Sequence, residues 1–364
     1  MRQVRFADIV SVAPLYNKVC FMHMANELLS VPVATGTLAV AAAGLGFVCR
    51  KVRHILTAEK LALMGVLGAF VFAGQMINFQ LPAMPGTSGH MVGAVLLAIV
   101  LGPHLAAIVM SSVVIVQCLI FQDGGLLALG CNIINMALVP SYLGYFLYRT
   151  VTLGPASSLR VYVGTMLACI LSIEAGAILV PVQATLAGVL AVPFSTFLIT
   201  MIGVHFLVGL VEGLVTVAVL GYLQQVRPDI ILDSLPGKVR LSRSAVLATL
   251  VAFTIIIGAG VSLLASDLPD GLEWSYAERP GQPGFEPAVA NDDSRIAAVD
   301  EFQSKYSPMP DYSVRTSKLG EAQHTEADSA AGWTSFAGVL GSAITMAVIW
   351  LTAHMLRKRQ SPLA

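Results

Sequence analysis

The chain has 364 residues, of which 56% are hydrophobic and only 12% charged, and its formal net charge is zero. Because a soluble domain carries about 25% charged residues, this composition excludes an ordinary soluble protein. No nucleic-acid partner is expected. Apolar runs of roughly 20 residues, each long enough to cross a bilayer, recur along the chain. They predict an all-α polytopic membrane protein surrounded by lipid.

The apolar runs and the charged residues between them predict about nine transmembrane helices, in a seven-helix bundle followed by a two-helix C-terminal unit. The predicted spans are 31–49, 61–79, 91–102, 104–121, 126–148, 160–180, 195–223, 245–265 and 334–356. The third and fourth are the least distinct pair, because Gly102-Pro103 is either a turn between two helices or a kink in one long helix.

The distribution of charge favours two spans in that region. The loop CRKVRHILTAEK after the first span is basic and therefore predicted to be cytoplasmic, which places residues 22–30 outside. Two spans between 91 and 121 then put the later basic loops and the C-terminus in the cytoplasm. They put the loop 267–332 outside, and this loop holds 13 of the 21 acidic but only five of the 21 basic residues. The predicted location is the cell (inner) membrane.

The tripeptide Met22-His23-Met24 precedes the first span. If Met22 is the amino terminus, its amine, the His23 amide nitrogen and the His23 imidazole can chelate one metal ion. A fourth nitrogen would complete a square plane, which suits Ni(II) and is tolerable for Co(II). The alternative is an interfacial segment with the histidine at the level of the lipid headgroups.

His90 is the natural fourth ligand, because it lies on the same predicted face in the loop QLPAMPGTSGHMVG. Glycine and serine in that loop allow the backbone to approach closely. The alternative is ordinary helix capping, with Thr87 or Ser88 as the cap.

Other polar residues in apolar segments have structural or outer-sphere interpretations. His205 and Glu212 are seven residues apart and share one helical face, so they can form a buried pair, orient a ligand, or hold helices together. Asn78 and Ser88 are candidates of the same kind. Asp123 in DGG is first of all a turn residue.

Sequence motifs for enzymatic chemistry are missing. Gly237-Lys238 lacks the upstream glycine and the following Ser or Thr of a phosphate-binding loop, so the chain is not expected to hydrolyse ATP. There is no Gly-x-Ser-x-Gly, His-Glu-x-x-His or Cys-x-x-Cys. The chain is therefore predicted not to be an enzyme, and no cofactor is expected.

Several blocks together resemble the substrate-capture membrane subunit of the cobalt/nickel energy-coupling-factor transporters, the CbiM/NikM type. They are MHMANELLS, MGVLGAFVFAGQMINF, GTSGHMVGAVLLAIVLGP, DGGLLALGCNIINM and GVHFLVGLVEGLVT. LPDGLEW resembles the PDGLE signature of the small CbiN/NikN-type component. The resemblance implies a fusion of the two: a metal-capture domain over 22–228, a cytoplasmic linker over 229–244 and a PDGLE domain over 245–364.

The resemblance also implies a site and partners. The site would be the Met22 amine, His23 and His90, with Co(II) or Ni(II) as the transported substrate. A CbiQ/NikQ-type coupling subunit and CbiO/NikO-type ATPases would drive uptake. In the family the methionine begins the protein, so residues 1–21 are expected to be an extension absent from the mature chain. The fusion tilts the choice of metal towards nickel by resemblance alone.

Two other functions fit the same residues. One is a membrane scaffold or sensor that binds metal without transporting it. The other is a proton-coupled secondary metal carrier, for which Glu174 and Glu212 would supply the acidic groups. A scaffold or sensor would give no metal flux, which distinguishes it from an uptake protein. A secondary carrier would transport metal without any partner ATPase.

Overall fold

The computed structural model describes residues 23–155, 157–190, 192–232, 234–266, 268–276, 293–313 and 326–357. Residues 1–22, including Met22, lie outside this part of the chain. The helices in chain order are α1 Val31–Val52, α2 Ala58–Gln75, α3 Ala94–Leu101, α4 Pro103–Phe121, α5 Leu129–Asn132, a π-helix Ile133–Leu138, α6 Val139–Thr152, α7 Ser158–Ala187, α8 Phe194–Val226, α9 Arg243–Ala259, α10 Gly271–Tyr276, α11 Ser294–Tyr306 and α12 Glu326–Leu356. Two short antiparallel strands, β1 Phe79–Gln80 and β2 Ser88–Gly89, connect α2 to α3.

The helix boundaries follow from local sequence. Side-chain oxygens of Thr57, Ser157 and Ser242 accept backbone N–H bonds at the starts of α2, α7 and α9, which satisfies donors that have no partner within a helix. Among the described residues, seven helices are long and apolar enough to cross a membrane. The prediction of an all-α polytopic membrane protein is confirmed, and its count of about nine spans is approximate.

The third predicted span, 91–102, is shorter than expected. It is the eight-residue helix α3, whose length of about 12 Å is well below the roughly 30 Å of a bilayer core. Every residue of α3 is buried, so its continuous apolar sequence reflects a position inside the bundle. Hydrophobicity alone does not distinguish a short buried helix from a spanning one.

The connection at Gly102 is a turn between two helices. Gly102 has φ 87° and ψ 156°, a conformation that favours glycine, and Pro103 then begins α4. His90 precedes α3 and Asp123 follows α4, yet both lie beside His23. Between residues 91 and 121 the chain therefore returns to the same end of the bundle, as expected for two helices and not for one long helix.

The two C-terminal helices α9 and α12 pack together and against α2. They are in close contact at Gly258 and Gly338, where a Cβ on Gly338 would collide with the backbone of Gly258. Small residues allow this backbone contact between membrane helices. Ser342 of α12 also donates a hydrogen bond to the Ala69 carbonyl of α2, at 3.3 Å. The short helices α10 and α11 belong to the long connection between α9 and α12.

Candidate functional site

The segment that carries His23 is held by two asparagines. Asn132 accepts a hydrogen bond from the Met24 amide at 3.1 Å and donates one to the Met24 carbonyl at 3.2 Å. Asn26 accepts hydrogen bonds from the amides of Leu127 and Ala128. Because backbone and side-chain groups are paired in this way, the segment before α1 is fixed against the loop that follows α4.

His23 is paired with a buried carboxylate. Its Nδ1 lies 2.8 Å from Asp123 Oδ1, and both side chains are almost fully buried. Burial by itself opposes the imidazolium charge, but the charge of Asp123 and its hydrogen bond outweigh that cost and raise the pKa of His23. Despite burial, the same pairing lowers the pKa of Asp123. His23 Nε2 is buried and has no hydrogen-bond partner in the described part of the chain.

His90 lies in the turn between β2 and α3. Two residues later, the amides of Val92 and Gly93 donate to the carboxylate of Glu212 at 2.6 and 3.1 Å. Glu212 in α8 is 1% exposed and occupies the N-terminal end of α3, where a negative charge is favourable. It therefore fixes the backbone that carries His90.

The rings of the two histidines meet edge to face beside a small chamber. Their ring centroids are 5.5 Å apart and their planes make an angle of 76°. They line a cavity of about 60 Å³. Its other walls are mostly apolar and include Met24, Met136, Ile173, Val180, Met201, Val204 and Val208. Such a chamber has room for an ion but not for an organic substrate of drug-like size.

The PDGLE segment, residues 269–273, forms one wall of the chamber. Ser88 donates its backbone N–H to the Pro269 carbonyl at 2.9 Å and its hydroxyl to the Leu268 carbonyl at 2.8 Å. Asp270 then accepts hydrogen bonds from the amides of Leu272 and Glu273 at the start of α10. Its Oδ2 lies 3.2 Å from His90 Nδ1, close enough for electrostatic attraction but without the alignment of a hydrogen bond.

The structure gives the remaining predicted residues separate positions. His205 lines the chamber, and its Nδ1 lies 2.8 Å from the Met201 carbonyl of its own helix. No bond joins it to Glu212 in the described residues. Asn78 lies outside the chamber lining, and its backbone carbonyl accepts a hydrogen bond from the Ser266 amide at 2.8 Å. Ser88 holds the PDGLE segment. The capping interpretation of Thr87 or Ser88 is wrong, since α3 begins after Gly93 with no side-chain cap.

Sequence reasoning missed the functional position of two acids. Asp123 does lie in a turn, between Gln122 with φ 56° and Gly124 with φ 89°, but its carboxylate also holds His23. The sequence identifies Asp270 only as part of the PDGLE signature, whereas in the structure its carboxylate lies beside His90. Because these partners are far apart in sequence, the only available signal was an acid flanked by glycine at the end of an apolar run.

No group of three or more His, Cys, Asp or Glu side chains in the described residues has the arrangement of a metal site. The predicted ligand set contains only two such side chains, His23 and His90, because its other nitrogens are an amine and a backbone amide. Residue 22, which would supply the amine, lies outside the described residues.

Comparisons with known proteins match both parts of the chain. The model of the family "Cobalt uptake substrate-specific transmembrane region" (CbiM) matches residues 23–230, and that of the PDGLE domain matches 244–358. A protein of Archaeoglobus fulgidus named as a fused nickel transport protein, NikMN, is 33% identical over 68% of this chain and 80% of its own length. The NikMN protein of Rhodobacter capsulatus is 31% identical over 42% and 46% of the two chains. The cobalt transport protein CbiM of Acetoanaerobium sticklandii is 34% identical over 30% and 44%.

Proposed function

Because the chain belongs to the CbiM family of cobalt-uptake substrate-specific transmembrane regions and also carries a PDGLE domain, we propose that it captures Co(II) or Ni(II) for uptake across the cell membrane. The metal is the substrate. The metal-capture domain would be residues 22–228, and the PDGLE domain 245–364 would follow a cytoplasmic linker, 229–244. The Met22 end would face outside and the C-terminus would lie in the cytoplasm. This orientation agrees with the prediction that the basic loops are cytoplasmic.

The observation that carries the proposal is the buried Nε2 of His23, which has no hydrogen-bond partner among the described residues, on a ring that contacts the ring of His90. A buried polar nitrogen without a partner is costly, and His23, which carries it, lines the same chamber as His90. Imidazole nitrogens suit Ni(II) and Co(II). In addition, Asp123 on His23 Nδ1 is the kind of carboxylate that orients a metal-binding histidine.

In this proposal the Met22 amine and the His23 backbone amide supply the remaining nitrogen donors, and the choice of start tests the amine. A chain that begins at Met22 offers a free amine next to the His23 amide, whereas a chain that begins at Met1 has only a peptide nitrogen at that place. We expect the chain that starts at Met22 to bind one Ni(II) or Co(II) ion with high affinity. Loss of a direct ligand should weaken binding of the longer chain by more than about 100-fold, beyond the usual effect of an outer-sphere change.

Isothermal titration calorimetry of the two purified chains, with metal analysis after gel filtration, measures this difference in metal affinity. Intact mass of the natively expressed protein shows which start the cell uses. Tight stoichiometric binding by an intact chain that begins at Met1 would contradict the role of the Met22 amine.

Energy for uptake would come from separate subunits: a transmembrane coupling protein of the CbiQ/NikQ type and ATPases of the CbiO/NikO type. We expect cells to accumulate radioactive ⁶³Ni(II) or ⁵⁷Co(II) only when the chain is expressed together with these partners, and to lose accumulation when the partner ATPase is inactivated. Accumulation by the chain alone would favour a secondary carrier instead. Metal binding without accumulation, even with all partners present, would favour a scaffold or sensor.

A further inference from the structure

The connection between α9 and α12 reaches the loop that holds His23. Gln303 in α11 donates hydrogen bonds to the carbonyls of Cys118 and Gly124, at 3.1 and 2.8 Å, and accepts one from the Leu126 amide at 2.8 Å. Asp300, one turn earlier, accepts a hydrogen bond from Asn26. The C-terminal unit thus contacts both segments that position His23.

Beyond α11, the segment Met309–Ser313 places a tyrosine on the carboxylate that holds His23. The Tyr312 hydroxyl donates a hydrogen bond to Asp123 Oδ2 at 2.6 Å, while Asp123 Oδ1 lies 2.8 Å from His23 Nδ1. The Tyr312 ring stacks on Phe121, with centroids 4.7 Å apart and planes 15° from parallel. The Met309 amide donates to the Ile120 carbonyl at 3.0 Å. The tyrosine is therefore held by contacts independent of its hydroxyl.

The backbone at this point is unusual. Asp311 and Tyr312 have φ values of 53° and 55°, and residues other than glycine rarely adopt this left-handed region. Such conformations persist where surrounding contacts determine them, and they are concentrated at functional sites. Here they direct the Tyr312 hydroxyl onto Asp123.

We infer that Tyr312 is a positioning residue for metal capture, which acts through Asp123 on His23. The inference rests on the proposed function. With one oxygen of Asp123 occupied by the tyrosine, the carboxylate cannot rotate freely, and its other oxygen accepts a hydrogen bond from the Nδ1–H of His23. With the proton on Nδ1, the lone pair is on Nε2, the buried nitrogen that has no hydrogen-bond partner among the described residues. In this way the C-terminal unit sets the orientation and the tautomer of His23, a proposed metal ligand that lies in the metal-capture domain.

The test uses Ni(II) titration of the purified chain from Met22 to the C-terminus, in competition with a chelator. Outer-sphere changes of this kind weaken metal binding by about 10- to 100-fold, and we expect that loss for Asp123→Asn. Tyr312→Phe removes only the hydroxyl and should weaken binding by about 3- to 30-fold, within or just below the same range. The matched control is Tyr306→Phe, the same change on an exposed tyrosine of α11, and it should leave affinity unchanged.

A double variant separates action through Asp123 from a general loosening of the segment. If Tyr312 acts through Asp123, the Tyr312→Phe change should cause no further loss in the Asp123→Asn background. At saturating Ni(II), the ligand-field absorption bands of Tyr312→Phe should also differ from those of the wild type, because the His23 ring is less well oriented. Unchanged affinity and spectrum in Tyr312→Phe, or the same fold loss in both backgrounds, would overturn the inference.

The proposed function fails by a different result. If the wild type binds no Ni(II) or Co(II), or if His23→Ala binds as well as the wild type, there is no site for Tyr312 to position. Metal binding that depends on His23 but not on Tyr312 would retain the proposed function and reject only the role of the tyrosine.

Discussion

Replacing His23 or His90 by alanine should abolish stoichiometric binding of Ni(II) and Co(II). Each change removes an imidazole that lines the chamber, and the two rings are 5.5 Å apart, so a single ion can contact both. Since outer-sphere changes alone cost about 10- to 100-fold, loss of either ligand should exceed 100-fold. Metal analysis after gel filtration and competition titration measure the effect.

The matched control is His104→Ala. His104 lies in the first turn of α4, at the opposite end of that helix from Asp123, and its Nδ1 lies 2.6 Å from the Tyr142 hydroxyl. Its removal should leave metal affinity unchanged. Undiminished binding in both His23→Ala and His90→Ala would mean that the metal site lies elsewhere, and the hypothesis of a scaffold or sensor would then need a different set of ligands.

Glu212→Leu should cause a large loss of stability. The leucine has a similar size but cannot accept the hydrogen bonds of the Val92 and Gly93 amides. Each buried N–H left without a partner costs about 1–3 kcal/mol, so the variant should lose about 2–6 kcal/mol. Glu212→Gln keeps one acceptor oxygen and should lose less. The thermal denaturation midpoint in detergent, followed by tryptophan fluorescence, reports the order of the variants.

Glu174→Gln is the control for a carboxyl group in a membrane helix. The Glu174 oxygens are buried without hydrogen-bond partners among the described residues, so replacing the carboxyl group by an amide should change the thermal denaturation midpoint little.

Because His90 lies two residues before Val92, Glu212→Leu should also weaken metal binding. A Glu212→Leu protein as stable as the wild type would contradict the role of Glu212 at the start of α3.

The membrane class and the approximate extents of most helices follow from the sequence, because a bilayer requires long apolar segments with satisfied backbone groups. The same reasoning overestimated the third span. α3 is apolar because protein surrounds it, and its start depends on Glu212, about 120 positions later in the chain. Local hydropathy contains no information about such a partner.

The candidate site divides in the same way. The sequence alone placed His23 and His90 at one face of the membrane, through charge distribution and resemblance. It also indicated a nitrogen site for Ni(II) or Co(II), since donor chemistry is a property of residue type. Only the tertiary structure decided that Asp123 holds His23, that Asp270 approaches His90 and that Tyr312 contacts Asp123. These contacts join residues separated by 100 to 189 positions, and packing of the whole bundle determines their distances and directions.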